Sequence, residues 1–187
     1  MKLRDLVLPA IALIVLVADQ ASKIWARENI PLNTTFDVIP ELRDIFVLTH
    51  ITNAGAAFGL FPQLSIVFTF VAFIVSLVIV FYYRSIPAGQ WIVRISLGLQ
   101  LGGAMGNLVD RLQYGAVTDI LYFRFFSPVF NIADSGIVCG VCLLMFHLMR
   151  NTQQPVPVEP SAPPASPTDS PEQIETPPGD GLGQPQP

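Results

Sequence analysis

Four long apolar segments alternate with polar stretches over residues 1–150. They run from about Leu6 to Trp25, Leu64 to Tyr83, Trp91 to Val109 and Val129 to Met149. Each is close to the roughly 20 apolar residues that a helix needs to cross the hydrocarbon core of a bilayer. The pattern predicts an all-α membrane protein with four transmembrane helices.

The third segment differs from the others because polar residues interrupt it. Arg94, Gln100 and Asn107 lie within its apolar run. It also carries a glycine at every fourth position: Gly98, Gly102 and Gly106. Small residues at this spacing let neighbouring helices approach closely, so we expect this helix to be buried in the bundle.

Two connections between the predicted helices contain β-forming sequence. Phe46 to Thr52 lies in the long loop from about Glu28 to Pro62, and Val117 to Phe123 lies between the third and fourth helices. β-branched and aromatic residues favour extended segments there. Residues Ala54 to Phe61 are predicted to form a short amphipathic helix.

Composition indicates a membrane protein and distinguishes a C-terminal tail from the rest of the chain. The chain of 187 residues is 51% hydrophobic and 13% charged, with a mean hydropathy of +0.53, which excludes an ordinary soluble domain. Residues 151–187 contain 11 prolines, five acidic residues and no Lys or Arg. We therefore predict a transmembrane domain at 1–150 and a disordered, acidic, Pro-rich tail at 151–187. No basic run suggests a nucleic-acid partner.

Helix parity gathers polar residues at one membrane face. With four spans, the ends of the first and third helices and the start of the fourth lie on the same side. Three polar groups fall at this level: Asp19 with Lys23, Asn107 with Asp110 and Arg111, and Asn131 with Asp134. Their spacing of three or four residues predicts that each group shares one stripe of its helix.

Two aspartates are the main candidates for chemistry. Asp119 lies in the short connection between the third and fourth helices, so it emerges at the same face as Asp134. Asn53, in the long loop, is expected to point towards them. Ionisable residues at membrane depth are costly and usually functional. Two carboxylates in a poorly solvated pocket share a proton, and such a pair can activate a water against a peptide carbonyl.

The His, Ser and Cys residues of the chain are not placed for other catalytic arrangements. His50 and His147 lie on different elements and form neither a triad nor a zinc motif. Ser22 and Lys23 are adjacent in sequence, so on a helix they point to different faces. We expect no metal and no cofactor. The C-x-x-C at Cys139 and Cys142 could indicate a thiol oxidoreductase, but we interpret the pair as small packing residues inside the fourth helix.

Two further classes of function stay open on the residues alone. A proton-coupled transporter would use membrane carboxylates to relay protons, although it would favour ionisable groups at the midplane or on both faces. A non-catalytic scaffold would recruit partners through the Pro-rich tail.

Five sequence blocks resemble the successive signature blocks of lipoprotein signal peptidase, also called signal peptidase II. The resemblance covers about Leu6 to Arg150. The blocks are Asp19–Lys23, Asn53–Phe58, Gly106–Arg111, Val117–Asp119 and Phe130–Asp134.

The resemblance implies a bacterial aspartic endopeptidase that removes signal peptides from prolipoproteins, cutting on the N-terminal side of a diacylglyceryl-modified cysteine. It implies Asp119 and Asp134 as the catalytic pair. Residues at Asn53, Arg111 and Asn131 would bind substrate or order the site. Supporting roles would fall to four further residues: Asp19, Lys23, Asn107 and Asp110. For these four, a polar network that ties the helices together is an equally good explanation.

The expected partners are lipid-modified prolipoproteins and membrane lipid, and the expected state is a monomer. Thr118 departs from the family, which commonly has an apolar residue before the first catalytic Asp.

Orientation does not follow from charge. Five basic residues lie on each side of the predicted membrane: Lys2, Arg4, Arg84, Arg94 and Arg150 with the termini, and Lys23, Arg27, Arg43, Arg111 and Arg124 with the polar groups. The positive-inside rule therefore gives no majority. The resemblance implies a multi-pass protein of the inner membrane with cytoplasmic termini, a periplasmic site and hence an extracytoplasmic, partly β-structured loop region.

Overall fold

A computed structural model of the chain describes residues 3–54, 65–87, 89–126 and 128–152. Within these ranges lie four long helices: α1 (Leu3–Asn29), α2 (Ser65–Tyr82), α3 (Trp91–Tyr114) and α4 (Ile132–Thr152). All four are long and apolar enough to span a membrane. The predicted four-span fold is therefore confirmed.

Helix α3 occupies the centre of the bundle. In its most apolar stretch 56% of the residues are buried, against 11–22% in the other three helices. The prediction that the third helix is buried is thus confirmed. Helix α2 lies at the other extreme, with large apolar side chains such as Phe70 and Phe81 exposed. In a membrane-spanning protein such side chains face lipid.

Glycines allow α3 to lie against its neighbours. A Cβ atom at Gly102 would come within 2.6 Å of the Ala12 carbonyl oxygen of α1. At Gly106 it would come within 2.5 Å of Asp19 Oδ2. A side chain at Gly102 would push α1 away from α3, because backbone atoms in a packed helix pair cannot yield locally. A side chain at Gly106 would displace the Asp19 carboxylate.

A small antiparallel sheet lies at the end of the bundle where α1 and α3 finish. It contains, in spatial order, β1 (Thr35–Phe36), β2 (Phe46–Asn53), β3 (Val117–Phe123) and β4 (Val129–Phe130). Strands β2 and β3 confirm the two predicted β segments. Ile120 of β3 packs on Ala26 and Ile30, which fixes the sheet to the end of α1.

The predicted helix boundaries need three corrections. Helix α4 begins at Ile132 rather than Val129, because the two preceding residues pair with β3 as β4. Helices α1 and α3 continue past their predicted ends at Trp25 and Val109. Arg27 and Asp110, which lie in these extensions, pair with each other, so they do not force the chain into water.

Two sequence-based expectations lie outside the described residues. The short amphipathic helix over Ala54 to Phe61 falls, after its first residue, in the range 55–64. The predicted tail also lies outside the described residues, except for Asn151 and Thr152, which are the last two residues of α4.

Close contact of α1 and α3 at Gly102 predicts a stability effect. We expect Gly102→Ala to destabilise the protein by about 1–3 kcal/mol, the usual cost of forcing an extra carbon into a packed interior. Thermal unfolding of the detergent-solubilised protein measures this. Gly89→Ala is the matched control, because a Cβ there meets nothing within 4 Å. Equal melting temperatures of the two variants would contradict the close-packing account.

Candidate active site

Strands β2 and β3 place Asn53 beside Asp119. Ile51 pairs with Asp119, and the register shifts by a bulge between Leu48 and Ile51. Residues two apart on a strand share a face, so Asn53 lies on the same side of the sheet as Asp119. The Asn53 amide donates to Asp119 Oδ2 at 2.9 Å. Asp119 is only 3% exposed.

The start of α4 brings Asn131 and Asp134 together. Asn131 directly precedes the helix, and its Oδ1 accepts the Asp134 backbone N–H at 2.9 Å. Asp134 Oδ2 accepts the Asn131 backbone N–H in return, at 3.3 Å. This reciprocal arrangement is that of a capping box. The prediction that the two residues share a stripe of the helix is therefore wrong, because Asn131 caps the helix from outside.

Asn131 also connects the two aspartates. Because its Oδ1 is used by the helix, its Nδ2 points the other way, and donates to Asp119 Oδ1 at 2.7 Å. Asn131 has no exposed surface. A single residue thus contacts both candidate carboxylates, that of Asp119 through its side-chain amide and that of Asp134 through its backbone N–H.

Helix α3 contributes Asn107 and Arg111 from the opposite side. The Asn107 amide donates to Asp134 Oδ1 at 2.7 Å. Arg111 lies one turn further along and approaches the Asn107 carbonyl oxygen at 3.5 Å. Its guanidinium adds positive charge near both aspartates.

These side chains line one cavity of about 710 Å³. Both aspartates reach it, and so do Asn53, Asn107 and Arg111. The rest of its described wall is mostly apolar: Phe68, Val117, Phe126, Pro128, Val129, Phe130, Ser135, Val138 and Cys139. A space of this size and character suits a largely apolar ligand with a few polar contacts.

Burial raises the pKa of Asp119 to about 6. Loss of water disfavours the charged carboxylate, and the nearby charge of Asp134 acts in the same direction. The amides of Asn53 and Asn131 and the charge of Lys23 oppose this rise, because they favour the charged form. Asp119 therefore has an ionisation placed close to neutral pH.

The remaining candidates form a buried ionic cluster next to the cavity. Lys23 Nζ lies 2.8 Å from Asp19 Oδ2 and 3.3 Å from Asp110 Oδ2, and none of the three side chains is exposed. Lys23 also donates to Asn107 Oδ1 at 3.1 Å. Asp19 Oδ1 accepts the Ala133 backbone N–H of α4 at 2.9 Å. The cluster thus joins α1, α3 and α4, as the network explanation requires.

Sequence reasoning missed three members of this cluster. Gln20 donates to the Asp110 carboxylate at 3.2 Å, and Arg27 lies 3.6 Å from it. Thr118 accepts from Arg27 through its hydroxyl at 2.8 Å, and its N–H donates to Asp110 Oδ2 at 2.8 Å. The hydroxyl at position 118, which departs from the family pattern, therefore has a buried partner in this chain.

The cysteines contradict their expected packing role. Both Cys139 and Cys142 are exposed on α4, and Cys139 lines the cavity. The inner face of the helix is taken by glycines, with Gly140 against the Ser96 carbonyl oxygen. Among the residues that the structure describes, no group of three His, Cys, Asp or Glu side chains is arranged to hold a metal.

Comparison with known families gives the affiliation of the chain. The model of the family described as signal peptidase (SPase) II matches residues 11–150. The chain belongs to the signal peptidase II family. Its family is thus a family of membrane peptidases, which confirms the resemblance of the five sequence blocks.

Relatives of known name agree with this affiliation. The lipoprotein signal peptidase of Moorella thermoacetica is 44% identical over 139 residues, covering 74% of this chain and 90% of the relative. That of Halothermothrix orenii is 41% identical over 143 residues, covering 75% and 93%. A solved structure of a bacterial membrane enzyme superposes with a TM-score of 0.72 at 28% identity, over 81% of this chain and 93% of that one.

The two contacts of Asn131 can be separated by substitution. We expect Asn131→Ala to lose about 1 kcal/mol of stability, because α4 loses its cap. Asn131→Ser should stay near the wild-type stability, since a serine hydroxyl can still accept the Asp134 N–H although it cannot reach Asp119. Chemical unfolding in detergent compares them. Equal losses in both variants would show that the cap contributes little.

Proposed function

We propose that this signal peptidase II is an aspartic endopeptidase in which Asp119 and Asp134 activate a water together. The enzyme would remove signal peptides from prolipoproteins by cutting on the N-terminal side of the lipid-modified cysteine. The observation that carries the proposal is the meeting of two carboxyl groups, in unlike surroundings, on one apolar cavity.

Unlike surroundings suggest unlike roles for the two aspartates. Asp119 is buried with a raised pKa, so it is the group that retains a proton longest. Asp134 is only half-buried and lies in the first turn of α4, where the helix dipole favours negative charge. We therefore assign Asp119 as the acid and Asp134 as the base.

The reaction follows from these assignments. Asp134 takes a proton from water as the water oxygen bonds to the peptide carbonyl carbon, and Asp119 gives its proton to the carbonyl oxygen. Asp134 then passes its proton to the leaving nitrogen as the C–N bond breaks. Asp119 recovers a proton from one hydroxyl as the new carboxyl group forms. Both side chains end in their starting states.

Asn53, Asn131 and Arg111 would hold this arrangement. The two amides position the Asp119 carboxyl from both of its oxygens. Arg111 lies at the edge of the cavity with its positive charge towards both aspartates, where it can also attract a substrate carbonyl oxygen. We also propose that the enzyme works as a monomer.

The cavity wall fits a lipid-modified substrate. A prolipoprotein signal peptide is a membrane helix, and its modified cysteine carries acyl chains. Val138 and Cys139 line the cavity and are also exposed on a membrane-spanning helix, so the cavity borders lipid. Substrate could therefore enter sideways from the bilayer, and depth in the membrane would help to select the bond that is cut.

We place the protein in the bacterial inner membrane with cytoplasmic termini and a periplasmic site. Lys23 is fully paired inside the bundle, so it does not count as a free charge for the positive-inside rule. Arg94, on the side of the termini, is buried as well, whereas Arg27 and Arg111 contact the polar residues of the other side. Without these four residues, four basic residues remain with the termini and two with the site. We assign the chemistry to residues 1–150 and none of it to the Pro-rich tail.

Amide variants of the aspartates test the proposal. Asp119→Asn and Asp134→Asn should each abolish processing of a diacylglyceryl-modified prolipoprotein, because an amide can neither accept the water proton nor donate an acidic one. Both should remain folded, since the shape is preserved. Asp44→Asn, at an exposed position, is the control and should process normally. Near-normal turnover in either site variant would refute the aspartic mechanism.

A test of lipid recognition requires a second substrate that lacks the lipid. The unlipidated prolipoprotein should be cleaved far more slowly than the lipidated one by the wild-type enzyme. Equal cleavage of both would remove lipid from the account of specificity without affecting the assignment of the aspartates.

The ionisation of Asp119 predicts the pH above which activity is lost. If its protonated form is the acid, kcat/KM should fall as pH rises through about 6. The Asn53 amide favours the charged form and so lowers the pKa of Asp119. Asn53→Ala should therefore move this alkaline limb of the pH profile to higher pH, and Asn29→Ala, at an exposed position, should not. A limb that stays in place in Asn53→Ala would contradict the role of Asp119 as acid.

A further inference from the structure

Lys23 is a cation held inside the helix bundle and away from substrate. Its side chain has no exposed surface, and the described lining of the cavity does not include it. The ammonium contacts three oxygen atoms, on Asp19, Asp110 and Asn107. An ammonium has three N–H donors and no acceptor, so these three contacts use its full capacity.

The contact with Lys23 determines which way the Asn107 amide points. Because Lys23 can only donate, the Asn107 atom that faces it must be the oxygen, Oδ1, at 3.1 Å. The nitrogen Nδ2 must then face Asp134, where it donates to Oδ1 at 2.7 Å. An amide fixed in this way can offer Asp134 only a donor, which favours the charged carboxylate over the protonated one.

The charges around the site agree with one ionised and one protonated aspartate in the catalytic pair. Among the described residues, three cations face this region: Lys23 and Arg27 of α1 and Arg111 of α3. Four carboxyl groups face it as well: Asp19 of α1, Asp110 of α3, Asp119 of β3 and Asp134 of α4. Helix α2 carries no charged residue over Ser65–Tyr82. Three cations thus meet four carboxyl groups. One retained proton leaves the region neutral, as the low-polarity surroundings require.

We propose that Lys23 is a positioning residue of the catalytic pair, acting through Asn107 to hold Asp134 oriented and charged. This inference rests on the proposed function, since it explains why the two aspartates divide the acid and base roles as they do. A purely structural Lys23 would join α1 to α3 and leave the chemistry of Asp134 unchanged.

The test removes Lys23 without leaving an unpaired charge. In Asp19→Asn combined with Lys23→Met, one cation and one anion are lost together, and Asp110 keeps Arg27 at 3.6 Å. Asp19→Asn alone is the matched control, because it carries the same change at Asp19 while Lys23 keeps Asp110 and Asn107 as oxygen partners. The probe is a diacylglyceryl-modified prolipoprotein peptide in detergent micelles.

We expect the double variant to turn substrate over more slowly than the control while binding it equally well. Its kcat should fall on the order of tenfold to hundredfold with little change in KM, because a catalytic group is misplaced while the cavity wall is intact. A kcat equal to that of the control, or a loss that appears in KM alone, would overturn the proposal.

A second measurement covers the case in which the double variant does not fold. Infrared spectroscopy detects the C=O stretch of protonated carboxyl groups, and it needs no enzymatic activity. Below the pKa of Asp119, a protonated-carboxyl band should disappear in Asp119→Asn and persist in Asp134→Asn. Persistence of the band in Asp119→Asn would instead show that Asp134 holds the proton, and the proposal would fail. Failure of the peptidase mechanism itself would appear separately, as turnover in the two amide variants.

Discussion

Charge buried in an apolar bundle is costly unless every charged group is paired, and the ionic cluster around Lys23 satisfies this condition. Lys23 contacts Asp19 and Asp110, and Asp19 in turn accepts the Ala133 N–H. The cluster therefore ties α1, α3 and α4 together at one depth. Removing one partner of a buried ion pair typically costs about 3–5 kcal/mol, because the other charge is left unpaired. The helices therefore cannot slide past one another without separating these buried charges.

Close helix packing and the cluster depend on each other. Gly106 leaves the space into which the Asp19 carboxylate fits, and a Cβ atom there would lie 2.5 Å from Oδ2. Without that space Asp19 could not reach both Lys23 and α4. Small residues in α3 thus do more than bring helices together, because they also make room for the polar side chains that determine which atoms meet.

The same apolar surroundings shape the chemistry next to the cluster. Asp119 lies away from water on β3, and its pKa is raised to about 6. Asp134 lies at the start of a helix and receives the Asn107 amide. Two residues of the same type are thereby made unequal by their environments. Structural pairing and the proposed catalysis draw on one set of contacts, in which Asn107 is the shared member.

Much of this architecture is determined by the sequence alone, because it depends on local or average properties. Span length follows from apolar runs, helix parity places the polar residues at one face, and β-forming residues mark Phe46 to Thr52 and Val117 to Phe123. The tertiary structure decided the contacts that depend on helix rotation and strand register. A bulge between Leu48 and Ile51 determines that Asn53 shares a face with Asp119. Pairing of β4 makes Asn131 a cap, and the donor-only chemistry of Lys23 turns the Asn107 amide towards Asp134. Such contacts join residues far apart in the chain, so no local pattern specifies them.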